Sequence, residues 1–579
     1  MPEVRTLPIS AAHREFTVKV DEQVVERTHQ LLSVTVTKVA DRISAARLVY
    51  LDGSASDSSF PASNSELFIP GKEIEILAGE LSDPVSLFKG ISVRQSIKVR
   101  DNAAPQLIVE CRHKAVGLTI GRKNAYFFDQ TDSDIITTIL GNAPVTPDVE
   151  STSLTHKQMV QYYSTDWDFL LTRAQANGKM VFTNDEKVTI KAPSFGGSSV
   201  CTLQFGSTIL EMDAEIDARL QYSAVKGVTW DPAQQSVVEK EGSDPGNTAP
   251  GNLQSSDLAS VAGPDHFHLQ QNALLEAETQ SWADAQWLKS KMSQVCGRLK
   301  CEGIATVNPG DLVTIAGISD RYNGDALVTG VKQSFDLVEG WKTHLQIGSS
   351  PEWLAEQNDV TAPIAGALLP GINGLQIGVV VSNEDPDNEH RVRVRMPMVD
   401  NSADGTWARV ASLDAGDDRG FFFRPEIGDE VILGFLDDDP RQAVILGMLH
   451  SRAKAAPLAG SDDNNEKMYK SRSGMKLYFD DDKKIILLET PAGKKITLDE
   501  DSGEIKMIDE NGNKIVMSSD GILIQSDGKI EIKASQDIKM EGMNVEAKAS
   551  ASFKAEGSAS AEVKASGSLT LKGSVVQIN

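Results

Sequence analysis

The stretch that decides the fold is Met543–Val575, MNVEAKASASFKAEGSASAEVKASGSLTLKGSV. Its odd positions are all apolar or glycine: Met543, Val545, Ala547, Ala549, Ala551, Phe553, Ala555, Gly557, Ala559, Ala561, Val563, Ala565, Gly567, Leu569, Leu571, Gly573 and Val575. The even positions through Ser574 are all Asn, Glu, Lys, Ser or Thr. Period 2 without a phase slip is the signature of extended chain with one buried face. A slip of one residue would turn that whole face to water. Fully extended, the run reaches at most roughly 110 Å. No Asn-Gly or Asp-Gly turn after Gly528 folds it back on itself. A lone chain of this kind cannot bury its stripe, but copies around an axis can. Three strands of a prism, each with one apolar face inward, solve the problem, and the many Ala and Gly residues make the core narrow. Two other readings exist. A single-chain parallel β-helix would use larger inward residues, and an amyloid-like tract is opposed by the regular Lys and Glu on the outer face.

Upstream the pattern loosens. From Met475, turn-prone residues recur every seven to ten positions: Asp480–Asp482, Pro491–Gly493, Asp501–Gly503, Asn511-Gly512, Asp520-Gly521 and Asp527-Gly528. Apolar pairs such as Ile496/Leu498, Ile515/Met517, Ile522/Ile524 and Ile530/Ile532 fill the gaps. Before them, Leu375 to about Ser451 holds five short strand candidates: Val379–Val381, Val392–Met396, Trp407–Ala411, Glu430–Phe435 and Ala443–Leu446. Turn residues separate them, which predicts a small barrel of the OB type. The uncharged run Val360–Ser382 is long enough to span a bilayer. Pro363, Pro370 and four glycines break it, so it reads as a linker entering a strand.

The first two hundred residues predict strands, among them Phe16–Val20, Leu31–Val39, Glu73–Leu77 and Leu107–Cys111. Two short helices interrupt, one capped by Asp132 or Ser133 and one by Asp166, the second stopping at Asn177-Gly178. Residues 231–264 predict a long loop. Leu269–Val295 predicts a long helix with Leu274, Trp282, Leu288 and Met292 as apolar candidates. PGKEIEILAG from Pro70 is echoed by PGDLVTIAG from Pro309, and each is followed by an apolar strand containing a glycine (Gly90, Gly330). The echo implies two barrels of similar construction. PEIGDEVILGF from Pro425 is a third variant.

The 579 residues predict about four domains. Hydrophobic residues make up 40% and charged residues 24%, which argues against disorder as the main state. A net charge of −25, from 57 Lys+Arg against 82 Asp+Glu, disfavours nucleic acid and anionic membrane surfaces as partners. Four cysteines make no disulfide framework. MPEVRTLPISAAHREF carries no secretion-signal pattern. The chain contains no G-x-S-x-G, HExxH or Walker A motif. His266/His268, Cys296/Cys301 and the acidic clusters at 437–439, 480–482 and 499–501 match no complete metal set. No metal and no cofactor is expected. A buried acid/base pair could still hide among the many carboxylates.

GVVVSNEDPDNEHRVRVRMP, TWARVASLDAG and GFFFRPEIGDEVILGFLDDDPRQAVILGMLH follow one another in the OB segment, and YYSTDWDFLLTRAQANGKMVF (Tyr162–Phe182) stands upstream. These motifs, with the segments in this order, resemble the VgrG spike family of contractile injection systems. ARLVYLDG, SNSELFIPGKEIEI and GRKNAYFF are more similar to the extracellular, phage-tail-like branch. The family implies a mainly β homotrimer with some α. Its expected domains are a first hub β-barrel (1–120), a helical α+β hub segment (121–200), a second hub barrel with long loop and helix (201–370), an OB-fold (371–457) and an intertwined triple-stranded β-helix or prism (458–579). The hub would meet the inner tube and baseplate. The needle core would be Val545, Ala547, Ala549, Ala551, Phe553, Ala559, Ala561, Val563, Ala565, Leu569 and Leu571. A PAAR-type tip protein would dock on Ser574, Val575, Val576, Gln577, Ile578 and Asn579. The target membrane would be touched only mechanically. The expected protein is no enzyme: no lysozyme-like insert precedes the needle and no effector domain follows it. It would be made in a bacterial cytoplasm and built into a tail-like particle that is released extracellularly. The alternatives are a β-helical, carbohydrate-degrading tailspike-like enzyme, which would need paired carboxylates in a groove, and a passive adhesin.

Overall fold

The computed structural model describes residues 15–80, 83–231, 236–246, 249–262, 265–270, 275–356 and 372–578. The N-terminal segment 1–14, most of the expected linker (360–371), Leu274 and Asn579 lie outside the described residues. Residues 1–371 and 372–579 form two compact units.

In the first unit, alternation builds the sheet. Leu31–Val39 turns Val34 and Val36 inward, and Ala45–Leu51 turns Ala46, Leu48 and Tyr50 inward. These strands join Glu15–Val20, Glu73–Glu80, Asp83–Arg100 and Ala103–Arg112 around a core that includes Phe68, Ile74, Phe88 and Leu107. A second core, with Leu299, Val313, Val328 and Leu345, lies under Val295–Glu302, Leu312–Ala316, Gly324–Asp336 and Gly340–Ile347. The two halves share one 13-stranded sheet. Gly324–Asp336 is the seam. It pairs antiparallel with Leu31–Val39, from Gly330 opposite Val39 to Asp336 opposite Ser33, and with its own hairpin partner Gly340–Ile347. Trp341 of that hairpin packs into the first core, edge-on to Phe16 at 5.3 Å. At the sequence echoes, Gly71 (φ +102°) and Gly310 (φ +97°) both take the left-handed conformation, so each Pro-Gly pair is the turn that feeds its strand.

Four helices lie among the described residues of this unit: α1 (Asp132–Gly141), α2 (Asp166–Ala176), α3 (Ser255–Ala262) and α4 (Glu276–Met292). The caps lie earlier than expected. Thr131, not Asp132 or Ser133, caps α1: its Oγ1 accepts from the Asp134 N–H at 3.2 Å, and the Asp134 carboxylate accepts from the Thr131 N–H. Thr165, not Asp166, caps α2: its Oγ1 accepts from the Asp168 N–H at 3.0 Å and donates to the Asp168 carboxylate at 2.7 Å. Both threonines hold extended backbone, while Asp132 and Asp166 already sit in the first turn. Gly178 (φ +64°) completes the expected stop. The expected loop 231–264 contains a strand, Ser236–Glu241, paired with Val225–Asp231, and also contains α3. Its polar composition masked both. The expected helix over Leu269–Val295 starts only at Glu276. Leu275 before it is extended, and Leu269 belongs to the strand Phe267–Gln270, which pairs parallel with Val225–Asp231. Met292 is buried as expected, but Trp287 is more deeply buried than the half-buried Trp282 and Leu288.

In the second unit, the five expected strands close into a barrel: Gln376–Ser382, Val392–Arg395, Thr406–Val410, Ala443–Met448 and Glu430–Phe435, in that spatial order. Val380, Val392, Val394, Ala408, Val431, Leu433 and Ile445 fill it. Asp385 pins the first long turn, taking the Arg391 guanidinium at 2.9 and 3.0 Å together with the Arg391 N–H. A seven-stranded antiparallel meander follows over Glu466–Gln525. Its turns carry left-handed residues at Gly474, Lys484, Gly493, Gly503, Gly512 and Gly521. The segment expected as one needle (458–579) therefore has two parts. The first part pairs its strands within one chain, because a turn arrives every nine or ten residues. The second part has no such turns.

Candidate assembly surfaces

The meander has two unlike faces. Its register places Leu477 and Phe479 opposite Leu488 and Ile486, then Ile496 and Leu498, Met507 and Ile505, Ile515 and Met517, and finally Ile524 and Ile522. One face is thus a two-column apolar ladder across six strands. Ten of these side chains are between 37% and 69% exposed in the single chain. A groove of about 790 Å³ opens along this face, lined by Leu488, Ile496, Met507, Ile515, Ile524 and Ile530 among others. The opposite face is mixed: Ile485, Leu487, Ile508, Val516 and Leu523 share it with charged and hydroxyl side chains. Glu489 accepts from Lys476 at 2.8 Å and pairs with Lys495 at 3.2 Å, and these two ammonium groups lower its pKa. Tyr478 donates to Glu466 at 2.7 Å, and that carboxylate raises the phenol pKa.

From Asp527 to Ile578 every residue is exposed and none belongs to a strand. The expected core residues Val545, Ala547, Ala549, Ala551, Phe553, Ala559, Ala561, Val563, Ala565, Leu569 and Leu571 all lie on this uncovered stretch, with Phe553 at 72% and Val563 at 77% exposure. Val575, Val576 and Ile578 of the expected tip site are likewise exposed. The barrel adds a further apolar surface. Leu413, Phe421, Phe422 and Phe423 flank a small hairpin (Ala415–Gly416 with Arg419–Gly420) and stand out into solvent, with Phe423 edge-on to Tyr469 at 5.1 Å. The sequence reading named the alternating stripe and the paired aliphatics. It missed this aromatic hairpin, although Gly-Phe-Phe-Phe (420–423) was its visible signal.

The first unit contains a buried charged cluster that composition could not single out. Asp132, at the start of α1, accepts from Arg173 Nε at 2.7 Å and Nη2 at 3.0 Å, and from Asn177 Nδ2 at 2.8 Å. His156 Nε2 lies 3.1 Å from Asp132 Oδ2, the oxygen that also takes Arg173 Nη2 and Asn177, and Glu278 lies 3.4 Å from Arg173 Nη2. Burial alone would raise the Asp132 carboxyl. The Arg173 guanidinium, helped by Asn177 and His156, reverses that and holds it below the ordinary range. The cluster locks α1, α2 and the strand Thr155–Ser164 together. His266 and His268 stand with ring centroids 6.3 Å apart on and beside the strand Phe267–Gln270. Cys301 is buried in the second hub core and Cys296 is half-buried; both are free thiols. Among the described residues, no three His, Cys, Asp or Glu side chains converge as a metal site.

Residues 376–450, which form the closed barrel, match the family model described as the type VI secretion system/phage-baseplate injector OB domain. The chain is 31% identical over 112 residues to the type VI secretion system spike protein VgrG3 of Vibrio cholerae, a match covering 18% of this chain and 11% of that protein. It is 26% identical over 191 residues to the spike protein VgrG1a of Pseudomonas aeruginosa, covering 30% of this chain and 29% of that protein. The matches thus span less than a third of these relatives. Among solved structures, a 43 kDa prophage tail protein from Shewanella oneidensis aligns with 58% of this chain and 99% of its own, at 13% identity and a TM-score of 0.44. The expected similarity to VgrG-type spike proteins is met in sequence. Residues 10–336 match a further family model, and because that match covers more than half of its length, the chain belongs to the family described as the Alg8 N-terminal domain.

Proposed function

We propose that the protein is the central spike of a contractile, phage-tail-like injection machine and works as a homotrimer. The observation that carries this reading is the uncovered apolar ladder of the meander, continued by the alternating stripe of Met543–Val575. Exposed apolar surface of this extent and regularity marks an interface. Three copies around one axis turn the ladders inward and leave the mixed face, which carries Lys476, Glu489, Lys495 and Lys506, outward. The hub, with its two similarly built halves per chain, adapts the threefold spike to a hexameric inner tube and to the baseplate. The aromatic hairpin at 413–423 lies where barrel domains of neighbouring copies meet. Sheath contraction drives the needle, and the force falls on a small area of target membrane. The role is mechanical rather than catalytic. The chain is made in a bacterial cytoplasm and leaves it inside the particle. Near the end of the stripe, Val575, Val576 and Ile578 are exposed together within the expected tip site, an apolar surface suited to a PAAR-type cap.

Mass in solution tests the reading. A trimer of about 190 kDa from the 62.5 kDa chain, destabilised by truncation near His450, supports it; a stable monomer overturns it. For the cap, deletion of Ser574–Asn579 is expected to abolish tip-protein capture and leave the trimer intact. Capture by the truncated chain would refute that docking site.

A further inference from the structure

A cleft of about 740 Å³ opens in the first unit between α2, α4 and the turn Leu354–Glu356. This is the size of small-molecule and side-chain pockets. Its floor is the Asp132–Arg173–Asn177 cluster, which is already hydrogen-bonded and so preformed. Its walls are aromatic. Tyr222 stacks on Phe267 with centroids 4.3 Å apart, Trp282 projects from α4, and Trp353 donates its Nε1–H to Gln286 at 2.6 Å. Its rim is acidic: Glu278, Glu352 and Glu356.

The charges do not cancel. Asp132 and Arg173 neutralise each other through two hydrogen bonds. Glu278 reaches the same guanidinium only at 3.4 Å. Glu352 has no cationic partner among the described residues, and Glu356 accepts only the Trp353 N–H at 3.3 Å. Lys289 brings the other nearby cation, its Nζ 5.0 Å from the centre of the Trp353 ring. Four carboxylates therefore face two cations. An anionic ligand would be repelled, and a neutral one would leave the rim charges unused. The cleft itself already shows the preferred chemistry, since one indole carries an ammonium group. The second indole, Trp282, carries no cation among the described residues.

We propose that this cleft binds the cationic side chain of a basic polypeptide segment, lysine or arginine, over the Trp282 ring and against Glu352 and Glu356. The aliphatic stem of such a side chain would lie along Tyr222 and Phe267, while its charged head meets the rim. All the residues that line the cleft belong to the first unit.

The test uses the full chain with acetyl-Gly-Gly-Arg-Gly-Gly-amide, its lysine counterpart and a glutamate-centred control. Saturation-transfer NMR is expected to light up the side-chain methylenes of the two cationic peptides and not the control. Glu352→Gln and Glu356→Gln each lie on exposed positions that leave the fold intact. Each is expected to weaken the Kd about threefold, and Trp282→Ala about fivefold. Since Trp282 is half-buried, circular dichroism accompanies that variant and the two Gln variants decide the matter. Absence of transfer to both cationic peptides, equal transfer to the glutamate peptide, or an unchanged Kd in the folded E352Q/E356Q double variant would overturn the proposal.

Discussion

Ile505 offers the sharpest probe of the needle. It stands mid-sheet on the apolar face, between Leu498 and Met517, and is 45% exposed in the single chain. If copies of the chain cover this face, its exposed part contributes about 0.7–1.4 kcal/mol per chain, or about 2–4 kcal/mol per trimer. Ile505→Asp removes that contribution. It also places three carboxylates in a dry, narrow core, where each ionised group costs several kcal/mol. The combined penalty is on the order of 10 kcal/mol per trimer at neutral pH. The isolated chain should barely notice, because the site is half in water there. Thr497→Asp, on the opposite face between Leu487 and Lys506, is the control and should change little.

The assay is the urea midpoint of trimer dissociation, followed by sedimentation velocity on the full chain. Acidity adds a second dimension. Burial raises the introduced carboxyls above their unfolded value, so trimer stability is complete below about pH 4 and is lost as pH rises through the raised value. The variant should therefore regain its trimer in acid while the control does not change. Equal dissociation midpoints for I505D and the unaltered chain at pH 7 would refute the argument that copies cover this face.

Three further outcomes follow from the first unit. Asp132→Asn takes the bidentate partner from the largely buried Arg173 guanidinium, leaving it only the 3.4 Å contact to Glu278, and should cost up to about 3 kcal/mol, read as a fall in Tm. The lowered Asp132 pKa contributes stability above about pH 4 that is lost as pH falls through its folded value, so the variant should also flatten the acid limb of the stability profile. Gly90→Ala would set a methyl group 2.3 Å from the Arg112 carbonyl oxygen and 2.7 Å from the Phe88 ring, and should cost about 1–3 kcal/mol in denaturant melts. Burial pushes the Cys111 and Cys301 thiols up to about 12, so at pH 8 neither should react with a maleimide until the chain is unfolded, whereas the half-buried Cys201 and Cys296 should react before them.

Legibility tracked how local the signal was. The five barrel strands were readable because each alternates and ends at a turn residue, as Asp385-Pro386 and Asp404-Gly405 do. The starts of α1 and α2 lie one or two residues before the expected caps because aspartate, serine and threonine all cap, and only the backbone angle at Thr131 and Thr165 distinguishes them. The single hub sheet was not readable at all. Gly324–Asp336 and Leu31–Val39 are almost three hundred residues apart, and nothing in either strand names its partner. The Asp132–Arg173–Asn177 cluster was hidden for the same reason: its members are ordinary polar residues until α1 and α2 pack.

The two parts of the expected needle differ by one piece of chemistry. Through Gly521 a left-handed turn residue arrives every nine or ten positions, so each strand finds its neighbour in the same chain and the backbone ladder is satisfied locally. After Gly528 the turns stop but the alternation becomes stricter, so backbone and apolar stripe both lack partners within the chain. The side chains change at the same point. The meander ladder uses Ile, Leu and Met, which one sheet face against two others can accommodate. The turnless run uses mostly Ala and Gly at its odd positions, which suit the close approach of three backbones in the proposed trimer. Where the glycines stand separates the two parts. In the meander they make turns. In the tail, Gly557, Gly567 and Gly573 fall in phase with the apolar stripe, where the proposed assembly needs room at its axis.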